Sequence, residues 1–241
     1  MKRITMGALW LVILIGCSRQ PVKPAAPAAT AYGAAIVETS GGKQITSAGA
    51  ALDQPVVVQV NDAQGNGVTG AYIEVHAPSG VALDPTAGLT DSSGQFTTKV
   101  TLGGVAGRYQ LTAITRDKGG KNYELKLEEI ALDYQQVLGR QINQQYCSRC
   151  HDPESTPERV SNMDNLATKP HAFTDGETLN KISDADLTAI ISHGGAALNK
   201  SAEMPPYGYT LSKTDIQALL SYIRAVADPP LPAKGVVYAK N

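Results

Sequence analysis

The apolar residues of this 241-residue chain change period at about Asp133. Alternation suits a sheet and a spacing of three to four suits helices, so the two halves bury their apolar faces in different layers. Before the change, Val56–Val60 is a β-branched run, and Ala71, Ile73, Val75 and Ala77 alternate with Tyr72, Glu74 and His76. Phe96, Thr98, Val100 and Leu102 share a face, as do Tyr109, Leu111 and Ala113, and then Tyr123, Leu125 and Leu127. Gly-, Asn- and Asp-rich turns at Asn61–Gly67, Asp91–Gly94 and Gly103-Gly104 separate these runs. Short strands with no helical stretch between them predict an antiparallel β-sandwich over 34–132.

After the change, three capping signals open three helices: Asp133 with Gln136, Ser183 with Asp186, and Ser212 with Asp215. The last helix carries Ile216, Leu219, Leu220, Ile223 and Val226 on one side. Gly194-Gly195 and Pro229-Pro230 are stop signals. The expected fold class is therefore multidomain, a β-sandwich followed by an all-α domain over 133–228, with a tail at 229–241. So sharp a seam predicts a helical domain that stands by itself.

Hydrophobic residues at 42% and charged ones at 18% exclude a disordered chain. A formal net charge of −1 offers no basic surface, so no nucleic-acid partner is expected. At the N-terminus, Met1-Lys2-Arg3 precedes an apolar run from Ile4 to Ile15 and then Gly16-Cys17. This is the pattern of a secretory signal over 1–16, too short to cross a bilayer comfortably as a mature helix. Residues 17–33 follow as a Pro/Ala-rich tether, with Pro21, Pro24 and Pro27 favouring an extended, semi-rigid segment.

The chemistry is concentrated at Cys147-Ser148-Arg149-Cys150-His151, two of the chain's three cysteines with a histidine beside them. C-x-x-C-H is the attachment signature of c-type haem: one helical turn presents both thiols to the two vinyl groups, and the adjacent imidazole is carried under the iron. Other chemistries fit less well. A zinc site asks for four ligands, and there is no second Cys pair. A thioredoxin-like pair follows a strand, whereas this one ends a helix. A bare disulfide leaves His151 unexplained. In the sandwich, His76 falls on a polar face beside Glu74 and reads as a solvated histidine.

Three resemblances sharpen these expectations. Leu14-Ile15-Gly16-Cys17 resembles a bacterial lipobox, which implies cleavage before Cys17 and lipidation of its thiol. Ser18 stands where an Asp would retain such a protein at the inner membrane of well-studied species, so the resemblance implies a cell-envelope lipoprotein of the outer membrane, its face left open. Val58–Val68, Thr90–Gln95 and Ala106–Ala113 resemble the bacterial Ig-like domains of intimin and invasin. Residues 134–227 resemble a class I monohaem cytochrome c. Gly139 stands where that family keeps a glycine at the crossing of its first and last helices, and Tyr222 fills the aromatic position of the last helix. Lys200–Gly208 matches the loop whose methionine, here Met204, is the sixth iron ligand.

The resemblance implies one covalent haem c held by Cys147, Cys150, His151 and Met204, and redox proteins of the cell envelope as partners. It implies an electron carrier and not an enzyme. A haem peroxidase, a gas sensor with a displaceable methionine, and an adhesion scaffold with an accessory haem are the alternatives. Asp152 and Asn143 depart from the family pattern, and the proline whose carbonyl fixes the proximal imidazole has only Pro157 as a candidate. Met163 reads as a core residue, while His171 and His193 are the next candidates for the iron.

Overall fold

The computed structural model describes residues 27–152 and 160–231. Among these, nine strands form two facing sheets. The first sheet has the order β1 (Ala35–Ser40), β3 (Val56–Asn61), β7 (Gln95–Thr101), β5 (Ala82–Asp84). The second has the order β2 (Ile45–Ser47), β9 (Asn122–Leu132), β8 (Gly107–Arg116), β4 (Tyr72–His76), β6 (Ala87–Leu89). The alternating residues close the core between them. Val56, Val58, Val60, Ile73, Phe96 and Leu111 are all buried there, as the strand period requires. Tyr109 donates from Oη to the Val105 carbonyl at 2.6 Å, a corner that recurs in Ig-like sandwiches.

Two details differ from the sequence reading. The sandwich is not wholly antiparallel: β2 runs parallel to β9, with Ile45 opposite Ile130 and Ser47 opposite Leu132. The tether's end is also docked, since Thr30 and Ala31 donate backbone N–H groups to the Gly70 carbonyl. Cys17 and the signal segment lie outside the described residues. Among the described residues no helix is long and apolar enough to cross a membrane.

The helical part begins with α1 (Tyr134–Ile142), capped by Asp133 and Gln136 in a reciprocal capping box. It continues through α2 (Ser148–His151), α3 (Gly176–Leu179), α4 (Asp184–His193) and α5 (Lys213–Val226). Ser183 caps α4 and Ser212 caps α5, and Gly194 ends α4 with φ at 82°. Helices α1 and α5 cross at Gly139, where an added Cβ would lie 2.1 Å from the Ala218 carbonyl oxygen. Only hydrogen fits there.

The two layers pack against each other at the seam. Leu132, Tyr222 and Val226 form one buried cluster, with Ile45, Ile130, Val137 and Phe173 packed against it. Arg140 of α1 donates to the Ile45 carbonyl at 2.7 Å. Residues of both layers therefore share a small buried cluster, while the helical part keeps a core of its own around Ile142, Leu187, Leu219 and Ile223.

Candidate functional site

Beyond Ile142 the first helix widens into a single π turn, Asn143–Cys147, before α2 completes the motif. Such bulges re-aim side chains without ending the helix. Cys147, Cys150 and His151 all line one cavity of about 730 Å³, within the range of roughly 300–1,000 Å³ for small-molecule and cofactor pockets. Its walls are mainly apolar and include Ile182, Leu187, Ile191, Leu219 and Ile223. Met204 lines the same cavity.

His151 is held from its far side. Nδ1 lies 2.7 Å from the carbonyl oxygen of His171. A carbonyl only accepts, so Nδ1 carries the proton and Nε2 keeps its lone pair. Burial depresses the imidazole's pKa, which keeps the ring neutral and able to coordinate. The ring of Phe173 stacks on it, with centroids 4.7 Å apart and planes 27° apart. The thiols are free. Burial, and secondarily Cys150, pushes the Cys147 thiol up to about 12. A reactive thiol runs on a lowered pKa, so Cys147 is badly placed as a redox nucleophile.

Met204 sits in the loop between a 3₁₀ turn, Gly195–Leu198, and α5. Its carbonyl accepts from Gly195 N–H at 3.0 Å, while Tyr207 and Gly208 donate N–H groups to Ile191 and Ser192 of α4. Tyr207 also donates its hydroxyl to the Tyr146 carbonyl at 3.1 Å, tying the loop to the residue before Cys147. The thioether is thus carried by a braced loop.

The other candidates separate cleanly. Met163 is 3% exposed and is not among the residues lining the cavity. His193 ends α4 away from the cavity. His171 does line the cavity, but its Nδ1 lies 2.9 Å from Asp175 Oδ2. Its carbonyl takes the role for which Pro157 was the sequence candidate; Pro157 itself lies outside the described residues. Sequence reasoning missed this because any residue offers a carbonyl. The neighbouring Pro170 was the one available signal.

Residues 135–223 match the family of cytochrome c oxidase, cbb3-type, subunit III. This segment is a cytochrome c domain. Domains of this family carry haem c and work in electron transfer. No curated protein matches the chain. Similar solved structures include the D00–D0 domains of intimin, at 16% identity, covering 43% of this chain and 50% of that one, TM-score 0.32. The adhesin InvE of Yersinia pseudotuberculosis is similar at 15% identity over 41% of this chain and 32% of that one, TM-score 0.32. Invasin, an integrin-binding protein, is similar at 16% identity over 41% and 19%, TM-score 0.31. The chain spans half or less of each of these. The N-terminal region is a β-sandwich of two facing sheets that resembles Ig-like domains, and the cytochrome c domain follows it.

The cavity fits the group that the family implies. It is apolar, it is large enough for a cofactor, and it gathers two thiols, a thioether and a neutral imidazole with its free nitrogen undonated.

Proposed function

We propose that this chain is a membrane-anchored monohaem cytochrome that passes single electrons between redox proteins of the cell envelope. The observation that carries the reading is the convergence of Cys147, Cys150, His151 and Met204 on one apolar cavity. Cys147 and Cys150 would hold the haem through their sulfurs, and His151 Nε2 and the Met204 sulfur would bind its iron. When bound, the haem supplies a reversible one-electron couple at its iron.

The chain's own residues do the rest. The His171 carbonyl fixes the tautomer and orientation of His151. Ile182, Leu187, Ile191, Leu219 and Ile223 exclude water from the cavity, and a soft thioether favours the reduced iron. Cys17 is proposed as the lipid anchor, on the strength of Leu14-Ile15-Gly16-Cys17 alone, with the outer membrane as its location. Voltammetry of the exported full chain tests the function: one reversible one-electron wave, unchanged by peroxide, is expected. A catalytic peroxide current would overturn the carrier reading in favour of a peroxidase.

A further inference from the structure

The seam between the Ig-like and cytochrome domains contains a buried cation. Arg108 on β8 is 5% exposed. Its Nη1 pairs with Glu128, and its Nη2 donates to the Ala227 carbonyl at 2.6 Å and the Ala225 carbonyl at 3.2 Å. Those carbonyls end α5, where a cation is favourable. A buried guanidinium is costly unless its hydrogen bonds are met. Here they are met only with the two domains docked.

The contacts continue toward the haem site. Asp228, next after Ala227, donates its N–H to the Thr174 carbonyl at 2.9 Å and accepts from Gly176 N–H at 3.0 Å. Gly176 sits so close that a Cβ there would lie 2.1 Å from the Pro229 carbonyl oxygen. Segment 171–176 is thereby fastened to the end of α5. That segment carries both groups that hold His151: the His171 carbonyl and the stacked ring of Phe173. Phe173 also packs against the shared cluster of Leu132, Tyr222 and Val226.

We infer that Arg108 of the Ig-like domain is a positioning residue for His151, acting through the end of α5 and segment 171–176. The sandwich is then part of the proximal support of the haem and not merely a spacer. This rests on the reading of His151 as the iron's proximal ligand. The hydrogen bond from Nδ1–H to the His171 carbonyl makes the imidazole a stronger donor. Stronger donation stabilises the ferric state, so loosening segment 171–176 raises the midpoint potential and exposes the Nδ1 proton to solvent.

The test uses the full, haem-loaded chain with Arg108→Ala and Arg108→Lys. The control is Val75→Ala, which weakens the sandwich core away from the seam. The readouts are exchange of the His151 Nδ1 proton by NMR and the midpoint potential. Arg108→Ala should speed that exchange at least tenfold and raise the potential. Arg108→Lys, whose ammonium cannot fork across two carbonyls and Glu128, should do so to a smaller degree. Val75→Ala should do neither. Phe173→Leu combined with Arg108→Lys should shift the potential by less than the sum of the single effects, as expected of residues in one path.

Unchanged exchange and potential in both Arg108 variants would overturn the inference, and so would equal shifts in Val75→Ala. If Arg108→Ala does not accumulate, Arg108→Lys decides by the same readouts. A wild-type chain that binds haem without His151 on the iron would instead refute the ligand assignment, and the inference with it.

Discussion

Gly139→Ala would put a methyl group where α1 and α5 cross. Its Cβ would lie 2.1 Å from the Ala218 carbonyl oxygen, 2.7 Å from the Ala218 carbonyl carbon and 2.7 Å from Tyr222 Cβ. An ordinary carbon–oxygen approach is about 3.3 Å, so the helices would have to separate by roughly 1 Å. The nearest two obstructing atoms are backbone of the fully buried Ala218, and Tyr222 Cβ is fixed to its own helix, so none can swing aside. Separation would open the core cluster of the cytochrome domain, to which Ile142 of α1 and Leu219 and Ile223 of α5 belong. Overpacking typically costs about 1–3 kcal/mol, and this rigid site belongs at the upper end. Alanine's better helix propensity returns about 1 kcal/mol. The expected net loss is about 2 kcal/mol. Urea unfolding of the full chain, followed by far-UV circular dichroism, should therefore show a lower midpoint at an unchanged slope. A variant as stable as wild type, or more stable, would refute the reasoning, because that is how an ordinary helical glycine behaves.

Other expected outcomes follow from single side chains. Glu129 faces inward on β9 with no exposure; one oxygen accepts from Gln44 N–H at 2.6 Å and the other has no hydrogen-bond partner. Burial raises its pKa to about 7 from 4.5, so the folded state holds a proton that the unfolded state has lost between those values. Stability from this group is intact below pH 4.5 and falls as pH rises toward 7, by up to roughly 3 kcal/mol. Glu129→Gln should flatten the urea midpoint across that window; an equally steep profile in the variant would contradict it. Met204→Ala should keep bound haem, lose the weak near-infrared methionine–ferric band and begin to bind carbon monoxide. Met163→Ala should leave the spectrum alone while costing about 2–5 kcal/mol of stability. Cys17→Ser should release the chain from membranes or block its processing, and membranes retaining processed Cys17→Ser protein would sink the anchor.

The long strands and helices α1, α4 and α5 were legible because each carries at least two turns or several alternations of its own period, whereas α3, at four residues, does not. The three-residue strands β2, β5 and β6 are too short to show a period at all. The parallel pairing of β2 depends on a chain path that no local pattern encodes. At the site, Cys147, Cys150, His151 and Met204 could be named because their side chains are chemically distinctive. The His171 carbonyl could not, since backbone carries no identity. Arg108 was equally invisible. It stands beside Tyr109 on β8, so alternation assigns it to the face turned away from the sandwich core. The cytochrome domain covers that face, and both residues are buried. Burial by a second domain leaves no trace in the period of the first.

Every role proposed for the cavity depends on a single haem fixed to this chain at Cys147 and Cys150. Intact mass of the full chain, matured in the periplasm and then denatured, tests it most directly. A mass increase of one haem, no free thiol at either cysteine, and loss of the increase in Cys147→Ala/Cys150→Ala are expected. An unmodified chain with a Cys147–Cys150 disulfide, from cells that load a control cytochrome normally, would contradict it.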